Sequence, residues 1–131
     1  MAKQRQKVSS GAPWESLVGY SRAVRSGNFI AVSGTTAVGA DGKLLGAGDA
    51  YRQAERCIEI VRAALQQAGA DLQHVVRTRM FVTDINRWQE IARAHQEAFG
   101  DSRPATSMIE VSRLIDPGML VEIEADAIVD D

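Results

Sequence analysis

The sequence predicts an α+β fold. It is a two-layer sandwich in the order β-β-α-β-α-β-β, with two helices on one face of a mixed sheet. Three observations predict it. Ala54, Cys57, Ile58, Val61, Ala64, Leu65 and Ala68 recur at three- and four-residue steps, the stripe of an amphipathic helix. Val121, Ile123, Ala125 and Ala127 alternate with Glu122, Glu124 and Asp126, the period of a half-buried strand. Turn signals at Ser26-Gly27-Asn28, Asp41-Gly42 and Asp116-Pro117-Gly118 cut the rest into short segments.

Taken in order, Leu17 to Arg25 and Phe29 to Ser33 read as a hairpin about the Gly27 turn. Gly46 and Gly48 keep the next stretch in a loop, and Asp49 is the expected N-cap of the long helix. Gly69 is placed to end that helix. A strand follows over Val75 to Thr83. Asp84 or Asn86 caps a second helix with Trp88, Ile91, Ala92, His95 and Phe99 on its packed side, and Gly100 ends it. Pro104 breaks the chain before a strand from Ala105 to Ser112, and Met119 to Val129 forms the last strand. Helices on one side leave the other sheet face open. Carboxylates near one end are expected there together with Thr78, Met80, Val82, Met108 and Leu120, an apolar area suited to self-association.

Composition excludes several functions. The chain has 131 residues, 45% of them hydrophobic and 24% charged, which fits one soluble domain over 1–131. No apolar run approaches the roughly 20 residues that span a bilayer. A net charge of −2 and 5% aromatics give neither a basic stripe nor a stacking platform, so no nucleic acid and no membrane partner is expected. Residues 1–12 are polar at their start and read as a loose tail without a signal-peptide core, and a cytoplasmic location follows. The single cysteine, Cys57, lies on the buried helix stripe and reads as inert. His74 and His95 have no metal-ligand spacing, so no metal and no cofactor is expected; His95 reads as a packed structural histidine.

Two features carry chemistry. Glu122 and Glu124 share a strand face at about 7 Å, close enough for one carboxyl to be pushed up and act in acid–base work. Arg77 and Arg79 are the residues that would instead neutralise them. Ser33-Gly34 ends a buried strand, and glycine there lets a ligand approach the backbone closely, unless it marks only a turn.

An ordered set of short segments extends from about Ala12 to Val129. It comprises Gly19-Tyr20-Ser21-Arg22-Ala23-Val24, Gly27-Asn28, Val32-Ser33-Gly34, Gln53, Ala68-Gly69-Ala70, Val75 to Asp84, Arg103-Pro104-Ala105, Glu110-Val111, Arg113-Leu114 and Val121 to Ala125. This set resembles the RidA/YjgF family, deaminases of reactive enamine and imine intermediates. The resemblance implies a chorismate-mutase-like fold and a homotrimer with a small-molecule pocket between adjacent subunits. It implies that Tyr20 closes the site, that the Ser33–Gly34 backbone contacts ligand, and that Glu122 positions water. Where deaminating members grip a carboxylate with arginine, this chain has Thr106; their cysteine is Met108, and a frequent asparagine is Ala92. Threonine is neutral and cannot replace a bidentate guanidinium. Arg79, Arg103 and Arg113 are the alternative cations. Three readings follow: a deaminase using another cation, a hydrolase for an uncharged or differently charged relative of those substrates, and a metabolite-binding or regulatory trimer without turnover. A ribonuclease or translation inhibitor fits the acidic balance least.

Overall fold

The computed structural model describes residues 5–130. Six strands form one sheet, β1 (Gln6–Val8), β2 (Ala23–Ser26), β3 (Phe29–Thr35), β4 (Val75–Val82), β5 (Ala105–Glu110) and β6 (Val121–Ile128), in the spatial order β1-β2-β3-β6-β4-β5. The helices are α1 (Pro13–Val18), α2 (Ala50–Gln67) and α3 (Trp88–Phe99). Only β4 and β5 run parallel, in register from Arg77↔Ala105 to Val82↔Glu110. α3 is the crossover between them, as a parallel pair requires.

The Asp49 carboxylate accepts from the Arg52 amide at 2.9 Å and caps α2. Gly69, at φ +88°, carries the chain out of α2 in the left-handed region. The α2 stripe of Ala54, Cys57, Ile58, Val61 and Leu65 packs with Ile30, Val32, Val121, Ile123 and Ala125 in the core. Gln53 is also fully buried. Its Nε2 donates to the Gly46 and Gly118 carbonyls, and its Oε1 accepts from Leu120 N–H. Those bonds tie the loops before α2 and before β6 to the helix.

The two-layer α+β architecture stands, with two elements more than the sequence predicts. The segment read as a loose tail contains β1, which pairs antiparallel with β2, and Val8 is only 5% exposed. Residues 1–4 of that tail lie outside the described residues. The segment Leu17 to Arg25 is not one strand. Pro13 starts α1, and the buried Glu15 accepts from the Ser9 and Ser10 side chains. Gly19, at φ +92°, ends that helix, and β2 begins only at Ala23. Leu17 and Val18 therefore face outward, 75% and 69% exposed. Asp84 caps a single 3-10 turn at Ile85–Arg87 that precedes α3, and Trp88 is exposed rather than packed.

The open face of the sheet is also different from the one expected. Thr78, Met80 and Val82 pair with Ala125, Ile123 and Val121, and all six are buried. Met108 pairs with Met80 and packs against the same core. These residues face the helices. The uncovered face carries the carboxylates Glu122, Glu124 and Asp126, as the sequence suggests, with Arg77, Arg79 and Phe81 where those apolar residues were expected. Periodicity alone gave each strand two alternating sets; only the pairing decides which set meets the helices.

Candidate functional site

Glu122 lies on the uncovered face of β6, where β3 is irregular. Between Val32↔Ala125 and Thr35↔Ile123 the β3 strand carries one residue more than β6. This bulge holds Ser33 and Gly34. A bulge re-aims the chain locally and is common beside binding sites. The Glu122 carboxylate lies directly over Gly34: a Cβ there would stand 2.9 Å from Cδ and 3.3 Å from Cγ of Glu122. Glycine thus leaves room for the Glu122 side chain to lie against the backbone, where the sequence suggested the approach of a ligand.

The bulge is braced from behind. Ser33 Oγ donates to the Ser21 carbonyl at 2.6 Å. Arg22, 9% exposed, donates to the Gly34 carbonyl at 2.7 Å and to Thr35 Oγ1 at 3.3 Å. Its guanidinium also lies 5.6 Å from the Tyr20 ring centroid. Its Nε has no partner among the described residues. A buried cation without a carboxylate partner is unusual and implies a local need for positive charge. Burial pushes the Glu122 carboxyl above its ordinary value, Glu124 adds to the rise, and the Arg22 charge offsets part of it. No hydrogen bond or ion pair engages Glu122 among the described residues. Glu124 and Asp126 are instead neutralised by Arg79, at 3.4 and 3.2 Å. Of the two carboxylates the sequence pairs, Glu122 is the available one.

A second feature lies on the opposite side of the sheet. A cleft of about 510 Å³ opens between α3 and β5, walled by Met80, Ala92, Phe99, Pro104 and Met108. Its polar side chains are Thr106, His95, Gln96 and Arg103, with Arg103 held at the rim by an Nε–H bond to the Gly100 carbonyl at 3.2 Å. Arg103 adopts φ +51° there, a left-handed conformation that few side chains take. Thr78 Oγ1 lies 2.8 Å from both Thr106 Oγ1 and His95 Nε2. Burial lowers the His95 pKa.

The structure lays Glu122 over Gly34, next to Ser33 in the bulge, and places the Tyr20 ring near the Arg22 guanidinium that holds the Gly34 carbonyl. It places Thr106 and Met108 elsewhere. They project from the helix-covered face of β5, whereas Glu122 projects from the open face of β6, with β4 between. Of the alternative cations, Arg79 is spent on Glu124 and Asp126, Arg103 shares the cleft with Thr106, and Arg113 is exposed, with no ion pair among the described residues. Sequence reasoning missed Arg22, which precedes β2 and whose charge gives no sign of burial. It also read His95 as structural, and no spacing rule links His95 to Thr78 and Thr106. Cys57 is buried as expected, and burial pushes its thiol far up. Among the described residues no cluster of three or more His, Cys, Asp or Glu side chains could hold a metal. No helix among them is long and apolar enough to cross a membrane.

This fold and this pair of surfaces define a small α+β ligand-binding protein of the kind the sequence resembles. The endoribonuclease L-PSP family model matches residues 11–129. A RutC family protein of Pyrococcus abyssi is 38% identical over 108 residues, 82% of this chain and 84% of its own. A Mycobacterium tuberculosis member of the YjgF/YER057c/UK114 family has a crystal structure at a TM-score of 0.88. It is 52% identical, covering 96% of this chain and all of that one. A Rid family protein of Yersinia pestis matches at 0.86 and 29% identity, over 96% of this chain and 100% of its own. The chain belongs to the RidA/YjgF family, whose model bears the L-PSP description.

Proposed function

We propose that this protein hydrolytically deaminates a small enamine or imine in a site shared between copies of the chain. The observation that supports it most is Glu122: half-buried, unpaired among the described residues, with its carboxyl pushed up, laid across the glycine of a bulge. A carboxylate with a raised pKa is a better base near neutral pH. An enamine first shifts to its imine. Glu122 takes a proton from water as the oxygen adds to the C=N carbon and passes it to the nitrogen, giving a carbinolamine. It then takes the hydroxyl proton as the C=O bond forms and delivers it to the nitrogen as the C–N bond breaks, releasing ammonia. Tyr20 and the Ser33–Gly34 backbone orient the substrate. The reaction needs neither metal nor cofactor.

The homotrimer implied by the family resemblance fits the geometry of one chain. Glu122 and Thr106 lie on opposite faces of the sheet, so both can touch one small ligand only if two copies supply them. The exposed Phe29, Ile109 and Ile128 and the ion grid on the open face offer a surface for that contact.

The test is ammonia release from freshly generated 2-iminopropanoate and from an uncharged imine of similar size, with mass measured in solution. Wild type should be trimeric and release ammonia from at least one substrate, and Glu122→Gln should lose it. A monomer, or a Glu122→Gln variant as active as wild type, would refute the reading. A trimer silent on both would leave the metabolite-binding reading standing.

A further inference from the structure

The polar floor of the Thr106 cleft has a direction. Thr106 Oγ1 lies 3.0 Å from the Pro104 carbonyl and 2.8 Å from Thr78 Oγ1. Thr78 Oγ1 lies 2.8 Å from His95 Nε2. A carbonyl only accepts, and each hydroxyl has one proton. Keeping all three contacts therefore sends the Thr106 proton to Pro104. Thr78 then donates to Thr106 and, its proton spent, accepts from His95 Nε2–H. The reverse order, with Thr106 donating to Thr78 and Thr78 to His95 Nε2, would give up the Thr106–Pro104 bond.

The consequence is polarity. His95 is held as the Nε2–H tautomer, which leaves a lone pair on Nδ1, and Nδ1 has no partner among the described residues. Burial keeps the ring neutral near pH 7. The Thr106 hydroxyl is exposed and has one lone pair left and no proton to give. At this position the chain thus offers acceptors, where an arginine would offer donors. The surrounding Met80, Ala92, Phe99 and Met108 suit a small aliphatic body.

We propose that the cleft between α3 and β5 binds an uncharged hydrogen-bond donor on a small aliphatic body, such as the N–H of an amide, enamine or neutral imine, and discriminates against the carboxylate of the same shape. Thr106, Thr78 and His95 set this preference, Thr106 by contact and the other two by fixing which way its proton points. The inference rests on the reading that substrate meets Thr106, and it names the substrate class for that site. A carboxylate would set lone pairs against lone pairs and lose solvation without a partner. Arg103 and the Gln96 amide N–H groups, which also line the cleft, pull the other way, so the comparison is a severe one.

Isobutyramide and isobutyrate differ little in shape and test the proposal directly. Each is titrated into the full-length ¹⁵N-labelled protein at pH 7, following the backbone amides of Thr106 and Met108 and the His95 ring. The amide should bind at least about tenfold more tightly, the penalty typical of an unpaired buried polar group. Thr106→Arg should reverse the order, and Thr106→Val should erase it without unfolding the chain, since the residue is exposed. The His95 ring nitrogens should report the Nε2–H tautomer. Equal or tighter binding of isobutyrate by wild type would overturn the proposal and assign recognition to Arg103. Silence from both probes, or an Nδ1–H tautomer, would also overturn it. The readout involves no turnover. Selective amide binding without ammonia release would sink the deaminase reading alone, and 2-iminopropanoate hydrolysis with tight isobutyrate binding would sink this one alone.

Discussion

Replacing Gly34 with alanine separates the stability of this fold from the use of its site. The new Cβ would stand 2.9 Å from Glu122 Cδ and 3.3 Å from Cγ, and nearer still to Oε2. All three atoms belong to the outer part of a flexible side chain. The carboxylate can swing off the bulge at the cost of an off-rotamer torsion, about 0.5–1.5 kcal/mol. Gly34 is not in the left-handed region, so alanine also gains about 0.4–1 kcal/mol by narrowing the unfolded ensemble. The two nearly cancel, and the net change should lie within about 1 kcal/mol, a few degrees in Tm for a domain of this size. The site should not survive so lightly. Glu122 would leave its half-buried position, its carboxyl would fall toward the ordinary range, and ammonia release should drop at least about tenfold. Urea denaturation measures the first effect. A ¹³C-detected titration of the Glu122 carboxyl, beside the deamination assay, measures the second. A loss above about 3 kcal/mol would mean that backbone, not Glu122, is displaced. An unchanged Glu122 titration would mean that the carboxylate does not depend on the glycine.

Other outcomes follow from the same contacts. Glu122→Gln should lower deamination by about 10²–10⁴, the range of general-base catalysis, while raising stability at pH 7. Because the folded pKa of Glu122 is raised, its favourable contribution is complete below the unfolded carboxylate value and is lost as pH rises through the folded one. The stability difference seen in urea melts should therefore vanish near pH 4. Thr78→Val keeps shape but strands the His95 Nε2–H, and chemical denaturation should show a loss of about 1–3 kcal/mol. Gln53→Ala removes the side chain that ties Gly46, Gly118 and Leu120 together, and should cost about 2–5 kcal/mol with faster amide exchange in both loops. Asp49→Ala removes the α2 cap and should cost about 1 kcal/mol by thermal melting.

Much was legible in the linear order of residues, because it depends on neighbours along the chain. The α2 stripe, its Asp49 cap and Gly69 stop, and the alternation of β6 are local periodicities, and they fix the α+β class. The motif order from Gly19-Tyr20 to Glu122 also carries the family, and the fold lays Glu122 over Gly34. Pro13 in front of Glu15 is a helix signal, and it starts α1. What only the tertiary structure decided was the assignment of faces. A strand presents two equal alternating sets, and cross-strand pairing with the helices chooses between them. That choice put Thr78, Met80 and Met108 under the helices and left Glu122 on the open side. It also placed the two expected halves of the site on opposite faces of one chain. The same pairing brought Arg22 beneath Gly34 and His95 to Thr78 and Thr106. Those meetings join residues far apart in sequence, where no periodicity reaches, so hydrogen bonding and burial in the folded chain alone created them.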